Sequence, residues 1–212
     1  MYASEVDGKK RTFFVSGKLW GDSLVMADRE TGSEWSHILG EAKQGPSKGK
    51  RLTVIPSVIT TWSSWLEEHP QTSVVVFDRS ADRYSSTIYA KRAPRYGIGL
   101  VHEDAARFWR FDRLEQQPLV NDAWQDLQLV VYFDVDTQTP VVWNRQIDRR
   151  TLVFEQTDGV IRDTETQSHW NLFVGKATEG PLAGTQLTAT SAIISFKNAW
   201  DRFHEDSSQW EP

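Results

Sequence analysis

Two pairs of carboxylates, one in each half of the chain, are the first residues that could support chemistry. Asp28 and Glu30 are two residues apart, and Asp163 and Glu165 repeat that spacing. On a strand, this spacing places both side chains on one face. Four carboxylates brought together would bind a hard cation such as Ca²⁺, and a pair with different pKa values would support general acid–base catalysis. The alternative is structural: such carboxylates accept backbone and hydroxyl hydrogen bonds and fix the turn that follows.

Two histidines form a second candidate set. His69 and His204 each follow a tryptophan by four residues, Trp65 or Trp200. A pair of related histidines could ligate a metal ion. The alternative is a histidine at the end of a helix that packs on the indole one turn earlier. The remaining histidines have no histidine or cysteine at ligand spacing: His37, His102 and His169. We therefore predict no tightly bound transition metal and no cofactor.

The segment Asp134-Val-Asp136 is a third acidic feature. It could chelate a cation, but an acidic hairpin loop is the simpler interpretation. The chain contains no nucleophile elbow, no phosphate-binding glycine loop and no HExxH motif. Gly97-Ile-Gly99 alone is too weak a pattern to predict a nucleotide site.

These candidate residues, apart from the Asp134 segment, belong to an internal repeat with an offset of 135 residues. Without a gap, 15 of the 42 positions from 28 to 69 are identical to those from 163 to 204. A repeat this long predicts two copies of one structural unit, related by a pseudo-twofold axis. The first copy supplies Asp28, Glu30, Thr31, Ser33, Trp35, Gly40, Ala42, Gly45, Pro46, Gly49, Leu52, Thr53, Ile59, Trp65 and His69, which match Asp163, Glu165, Thr166, Ser168, Trp170, Gly175, Ala177, Gly180, Pro181, Gly184, Leu187, Thr188, Ile194, Trp200 and His204.

Alternating apolar residues and frequent turn signals predict short antiparallel strands. Six segments fit this pattern: Thr12–Ser16, Ser23–Ala27, Ser73–Phe77, Leu127–Phe133, Pro140–Trp143 and Thr151–Phe154. The Gly45-Pro46 and Gly180-Pro181 pairs predict tight loops with positive φ. A helical spacing of apolar residues then predicts a short helix at the end of each copy, over 62–69 and 196–204. Residues 103–114 fit either a helix or a strand at 107–111.

The predicted fold class is α+β and β-rich, with two pseudo-symmetric repeats of short antiparallel strands, each closed by a short helix. We predict a first repeat unit over 1–77, incomplete at its N-terminus, a connector over 78–95, and a second unit with a preceding segment over 96–212. One compact domain overall is the alternative.

Composition narrows the function. The chain has 212 residues, a net charge of −5 and no cysteine. The absence of cysteine excludes disulfides and thiolate chemistry, and the lack of a basic stripe argues against a nucleic-acid partner. No apolar run approaches the length of a membrane span, and the N-terminal residues do not form a signal peptide. The protein is therefore cytosolic, or the chain is a mature or trimmed form.

Tryptophans at matched repeat positions predict core positions, because burying an indole removes a large apolar area from water. These residues are Trp35, Trp170, Trp65 and Trp200. Trp210 lies in the polar C-terminal tail and is expected to be exposed.

Taken together, these segments resemble a bacterial and archaeal family, domain-of-unknown-function 3179. The resemblance is carried by Val15-Ser-Gly17, Ser23-Leu-Val-Met26, Asp28 to Trp35, Gly40-Glu-Ala42, Gly45-Pro46, Gly97 to Leu114 and Leu119-Val-Asn-Asp122. It implies an architecture, no established activity, and export from the cytoplasm. Many family members carry a Cys-Pro-Leu-Cys segment where this chain has Asp134 and Thr137, so a thiol role does not carry over.

Three functions remain open from the sequence. The first is a non-catalytic binding or accessory protein with a protein or small-molecule ligand, because the repeated residues are turn formers and core aromatics. The second is a metal-binding protein that uses the acidic strands or the paired histidines. The third is an enzyme with a carboxylate-based site.

Overall fold

A computed structural model describes residues 1–75 and 95–212. The described residues form twenty strands and three short helices. In chain order the elements are β1 (Glu5–Val6), β2 (Lys9–Lys10), β3 (Phe13–Trp20), β4 (Ser23–Asp28), β5 (Glu34–Ser36), β6 (Ala42–Gln44), α1 (Trp62–Glu68), β7 (Tyr96–His102), β8 (Ala105–Arg110), α2 (Phe111–Leu114), β9 (Leu119–Trp124), β10 (Leu127–Asp134), β11 (Thr139–Asn144), β12 (Gln146–Ile147), β13 (Arg150–Thr151), β14 (Phe154–Thr157), β15 (Val160–Asp163), β16 (His169–Asn171), β17 (Lys176–Glu179), β18 (Thr188–Ala189), β19 (Ile193–Phe196), α3 (Lys197–Phe203) and β20 (Ser208–Gln209). The predicted β-rich class with antiparallel strands and short helices is confirmed.

The chain forms two compact units, each assembled from separated segments. Unit 1 comprises residues 1–57, 97–108 and 191–210. It contains the β1–β2 hairpin, the antiparallel meander β3-β4-β5-β6, and a sheet with the order β19-β7-β8-β20. Strand β20 runs parallel to β8. The core beneath the meander is built from Val6, Trp35, Ala42 and Leu52, with Tyr2, Phe13 and Met26 packed against it.

Unit 2 comprises residues 58–96, 109–190 and 211–212. It contains a second meander, β14-β15-β16-β17, the β12–β13 hairpin, and a sheet with the order β18-β11-β10-β9. The core beside the second meander is larger and includes Val130, Leu152, Phe154, Trp170 and Leu187. The two units therefore do not coincide with two consecutive halves of the chain.

Local sequence accounts for the closing helices. Helix α1 starts after Thr61, whose side chain accepts a hydrogen bond from the backbone of Ser64, and it ends before His69, just ahead of Pro70. Helix α3 ends before His204, at the matched position. Although α1 follows the first meander in sequence, it belongs to unit 2, and α3, which follows the second meander, belongs to unit 1.

Several sequence predictions need correction or completion. Residues 103–114 form strand β8 and then helix α2, so the strand alternative is nearer to the structure than a single helix. The predicted strand 151–154 is divided between β13 and β14. Residues 73–75 are not in a strand, while 76–77 and the predicted connector, except for Arg95, lie outside the described residues.

Trp210 is buried, with only 7% of its surface exposed, so the prediction that it is solvent-exposed is wrong. The physical reason is β20: this strand adds to β8, and the backbone N–H of Trp210 donates to the carbonyl of Phe108 at 2.9 Å. A polar tail sequence thus becomes part of the sheet of unit 1.

Candidate functional site

The repeated aspartates are fully buried and bound within their own turns. Asp28 ends β4, and its Oδ2 accepts a hydrogen bond from Trp35 Nε1 at 2.9 Å while its Oδ1 accepts one from the Thr31 backbone N–H at 2.7 Å. Asp163 ends β15 and accepts the corresponding bonds from Trp170 Nε1 at 2.9 Å and from the Thr166 backbone at 2.6 Å. Each aspartate therefore fixes the hairpin turn and orients the core indole that follows.

Hydrogen bonding sets the charge state of Asp28. Burial raises the pKa of this carboxyl, but the hydrogen bonds from Trp35 and Thr31 outweigh that effect, so its pKa lies below the ordinary value. Asp28 is consequently an anion at neutral pH. Both of its oxygens accept hydrogen bonds, one from the turn and one from the indole of Trp35 in β5, which leaves it poorly suited to accept a substrate proton.

The paired glutamates anchor the neighbouring strand. Glu30 Oε2 accepts a hydrogen bond from the backbone N–H of Thr12 at 2.9 Å, and Glu165 Oε2 accepts one from that of Val153 at 2.9 Å. The bond from Thr12 is the main reason that the pKa of Glu30 lies below its ordinary value. These contacts add to the backbone hydrogen bonds that Arg29 donates to Thr12 and Thr164 donates to Val153.

The glycine–proline loops close onto the same turns. Ser33 Oγ accepts a hydrogen bond from the Ser47 backbone N–H at 3.0 Å, and Ser168 Oγ accepts one from the Leu182 backbone at 3.0 Å. Gly45 has a φ of +87°, and a Cβ there would lie 2.8 Å from the Cα of Ser33. The matched Gly180 has a φ of +88° and the same 2.8 Å approach to the Cα of Ser168. Pro46 and Pro181 follow these two glycines in the loops.

The tryptophan–histidine pairs of the two closing helices have similar ring distances but differ in burial. The rings of Trp65 and His69 are 4.1 Å apart, and those of Trp200 and His204 are 4.2 Å apart. Trp200 is fully buried, whereas Trp65 is half-buried and His69 is exposed. The indole N–H groups donate to a hydroxyl seven residues later, at 3.0 Å from Trp65 to Thr72 Oγ1 and at 2.8 Å from Trp200 to Ser207 Oγ.

Among the described residues, the candidate metal ligands do not form a cluster. Asp28, Glu30 and His204 belong to unit 1, whereas Asp163, Glu165 and His69 belong to unit 2. Over residues 1–75 and 95–212, no group of three or more histidine, aspartate or glutamate side chains is arranged to hold a metal ion. The Asp134 segment is the hairpin turn between β10 and β11, where Oδ1 of Asp134 accepts a hydrogen bond from the Thr137 backbone at 2.9 Å.

Unit 1 contains a cavity of about 560 Å³ that sequence reasoning did not predict. We call it the unit 1 cavity. Its wall combines residues of the first meander, the β7–β8 hairpin and helix α3. The residues that carry its chemistry are Glu41, Lys43, Arg51, Glu103, Asp104 and His204.

Charged groups of both signs line the unit 1 cavity. Glu41 Oε1 lies 2.8 Å from Lys43 Nζ, and its Oε2 lies 3.4 Å from an Arg51 guanidinium nitrogen. The Lys43 ammonium also lies 5.3 Å from the centre of the Trp20 ring, and Trp20 in turn packs edge-on against Phe203 with ring centres 5.5 Å apart. Lys43 is therefore held in place by both an anion and an aromatic face.

His204 adds an unsatisfied polar atom to this cavity. Its Nε2 is buried and has no hydrogen-bond partner among the described residues. Burial lowers the pKa of His204, so its imidazole is neutral at pH 7. His204 is therefore an uncharged polar side chain in the wall of the cavity.

No local motif marks Glu41 and Lys43; the two copies differ at both positions, as they do at most positions of the repeat. Their counterparts at the offset of 135 residues are Lys176 and Thr178. These positions differ within a segment whose turn residues are otherwise retained. The cavity wall thus combines residues that the repeat changes, such as Glu41 and Lys43, with residues that it keeps, such as Trp200 and His204.

Unit 2 has a smaller cavity of about 420 Å³, which we call the unit 2 cavity. It is lined by Glu67 and Glu68 of α1, by Asp134, and by His169 and Asn171 of β16, with other residues of unit 2. Asn171 Nδ2 donates to Glu68 Oε1 at 2.6 Å. No lysine or arginine of the described residues lines it.

Comparisons with known proteins give one match. The model of the family described as protein of unknown function (DUF3179) matches residues 1–207. No curated protein and no solved structure shows a significant match to the chain. Within the described ranges, no helix is both long and apolar enough to cross a membrane. Because the family model covers nearly the whole chain, the protein belongs to the DUF3179 family, whose function is unknown.

Proposed function

We propose that this chain is a non-catalytic binding protein whose small-molecule ligand occupies the unit 1 cavity. One observation carries the proposal: His204 lines the cavity, and its buried Nε2 has no hydrogen-bond partner among the described residues. Buried polar atoms in folded proteins are normally hydrogen-bonded, so an unsatisfied atom beside a cavity indicates a place for a bound molecule. A volume of about 560 Å³ falls in the range of ligand pockets.

The repeated carboxylates support binding rather than carboxylate catalysis. Both oxygens of Asp28 and of Asp163 already accept hydrogen bonds from their own hairpins. Glu30 and Glu165 accept backbone hydrogen bonds from the adjacent strand segment. A general acid or base must exchange protons with a substrate, and these groups have structural partners instead.

We also propose that residues 28–69 and 163–204 are two pseudo-symmetric copies of one unit. The matched hydrogen bonds of Asp28 and Asp163, and the matched loops at Gly45 and Gly180, support this. Phe13 and Phe154 pack edge-on against the core indoles Trp35 and Trp170, each with ring centres 5.5 Å apart.

The correspondence continues upstream of the ungapped repeat, with a different offset. A Cβ on Gly40 would meet the ring of Tyr2, and a Cβ on Gly175 would meet that of Trp143. Tyr2 and Trp143 are 141 residues apart, whereas the two glycines are 135 apart. The first copy is therefore longer by six residues between these points. The longer hairpin of β3 and β4, which carries Trp20 at its tip, accounts for this difference.

Each cavity then receives residues from both copies. The unit 1 cavity combines Glu41 and Lys43 of the first copy with Trp200 and His204 of the second. The unit 2 cavity combines helix α1 of the first copy with strand β16 of the second. A binding role for either cavity therefore depends on both copies being present.

A ligand screen with a site-specific readout tests the proposed function. The imidazole resonances of the five histidines would be followed by NMR while a chemically diverse library of small molecules is added. We expect hits that shift the His204 signal, assigned with the His204→Gln variant, and leave the exposed His69 signal unchanged.

A cavity-filling variant provides the control. Ala105 lines the unit 1 cavity, so Ala105→Trp should abolish binding of these hits. Ala123 is exposed on β9 in unit 2, and Ala123→Trp should leave binding intact. If no compound shifts the His204 signal, or if hits bind Ala105→Trp as well as the parent protein, the proposed site is wrong.

A further inference from the structure

The cavity of unit 1 has a charge pattern that narrows the class of ligand. Lys43 and Arg51 share the single carboxylate of Glu41, so this group of three carries one net positive charge. Lys43 has only 29% of its side chain exposed. A partly desolvated ammonium interacts more strongly with an anion than a fully solvated one does. This part of the cavity therefore favours an anionic group.

The β7–β8 turn supplies the opposite charge. Glu103 and Asp104 form this turn, and both line the same cavity. No structural ion pair involving either carboxylate occurs among the described residues. The neutral His204 imidazole adds a hydrogen-bond acceptor for a ligand N–H. The turn and the histidine therefore favour an ammonium group.

Apolar side chains complete the wall. Ile38, Leu52, Ile193 and Phe203 line the cavity together with the charged residues. Such side chains would cover an apolar body that links the two charged groups of a ligand. The unit 2 cavity lacks this combination: Thr178 takes the place of Lys43, and its described lining contains acids without lysine or arginine.

We infer that the unit 1 cavity binds a zwitterionic molecule of the amino-acid or dipeptide class with an apolar side chain. The carboxylate pairs with Lys43 and Arg51, the ammonium faces Glu103, Asp104 and His204, and the side chain lies on the apolar wall. This inference rests on the proposed function, because it assigns a ligand class to the same cavity.

Calorimetry with four related probes tests the ligand class. The probes are leucine, leucyl-leucine, N-acetyl-leucyl-leucine, which lacks the ammonium, and leucyl-leucine amide, which lacks the carboxylate. We expect leucine or leucyl-leucine to bind. Either blocked dipeptide should bind at least about tenfold more weakly than leucyl-leucine, because each loses one charge-assisted contact.

Substitution of Lys43 separates charge from packing. Lys43→Met should weaken binding of the free dipeptide about tenfold. Binding of the dipeptide amide should be unchanged, because the amide has no carboxylate to contact Lys43. Lys48 is exposed in the Gly45–Gly49 loop, and Lys48→Met is the matched control with no expected effect. An unchanged unfolding midpoint of Lys43→Met would show that the fold is intact.

The outcomes distinguish the inference from the proposed function. If library compounds shift the His204 signal but neither leucine nor leucyl-leucine binds, or the free and blocked dipeptides bind equally, the ligand class is wrong and the binding function stands. If no compound reaches His204, both fail. Equal loss of the dipeptide and its amide in Lys43→Met would also overturn the assigned carboxylate contact.

Discussion

At the scale of single residues, the chemistry of this chain is divided between groups that the repeat keeps and groups that it changes. Asp28 and Asp163 are kept because a buried carboxylate that binds a turn and an indole is hard to replace. Glu41 and Lys43 are not kept, and they line the unit 1 cavity. Identity between the copies thus marks the turn scaffold, whereas the cavity wall contains both changed residues and a retained one, His204.

The sequence was sufficient to find the buried tryptophans but not the cavity. Trp35, Trp170 and Trp200 are buried as predicted, since each occupies a matched apolar position. Trp65 is only half-buried, so a matched position does not guarantee a matched environment. The cavity residues come from segments far apart in sequence, and local sequence patterns do not predict that these segments lie side by side.

Asp28 gives the residue-scale prediction, a loss of stability in acid. Hydrogen bonds hold its pKa in the folded protein below the value of about 3.9 in an unfolded chain. Its contribution is therefore fully present above pH 4 or so and is lost as the pH falls through the folded pKa. Asp28→Asn should lower the thermal unfolding midpoint at pH 7 and flatten its dependence between about pH 5 and pH 2.

The exposed Glu5 supplies a control for this measurement, because Glu5→Gln removes a carboxylate from the same unit without removing a buried contact. Its unfolding midpoint should follow that of the parent protein across the pH range. An Asp28→Asn protein with the parent's acid dependence would show that the carboxylate makes no such contribution.

At the scale of elements, the turns were more predictable than the ends of the strands. The Gly45-Pro46 loop was found because only glycine adopts its φ of +87° without cost. The segment at 103–114 was ambiguous, because the apolar residues of Arg107 to Phe111 fit both periods. Tertiary pairing decides it: β8 is bordered by β7 and β20 and stays extended until helix α2 begins.

The two glycines of this loop separate conformational strain from steric contact. Gly49 also has a positive φ, +85°, but a Cβ there would meet no atom within 4 Å. Gly49→Ala should therefore lower the free energy of unfolding by about 1 kcal/mol, because the alanine must adopt the left-handed conformation. Gly45→Ala should lower the free energy of unfolding by more, because its Cβ would also lie 2.8 Å from the backbone of Ser33. Urea unfolding of the two variants measures the difference, and equal losses would contradict the close approach.

At the scale of the whole molecule, the main feature hidden from the sequence is which helix joins which meander. The repeat predicts that each copy ends in a helix, but it does not predict which meander shares a unit with that helix. In the structure, α3 belongs to unit 1 with the first meander, and α1 belongs to unit 2 with the second. The reason is energetic and non-local: Trp200 packs on Phe108, with ring centres 5.2 Å apart, and over Gly99, where no larger residue fits.

This assignment predicts an asymmetric response to truncation. Removing residues 191–212 deletes β19, α3 and β20, so unit 1 loses Trp200 and two of the four strands of the β7–β8 sheet. Unit 2 loses only residues 211–212. In hydrogen–deuterium exchange, the amides of β7 and β8 should lose protection, while those of β10 and β11 keep it. If the two pairs of strands lost protection together, or if β10 and β11 alone did so, helix α3 would contribute to the stability of unit 2, and the expected asymmetry would be wrong.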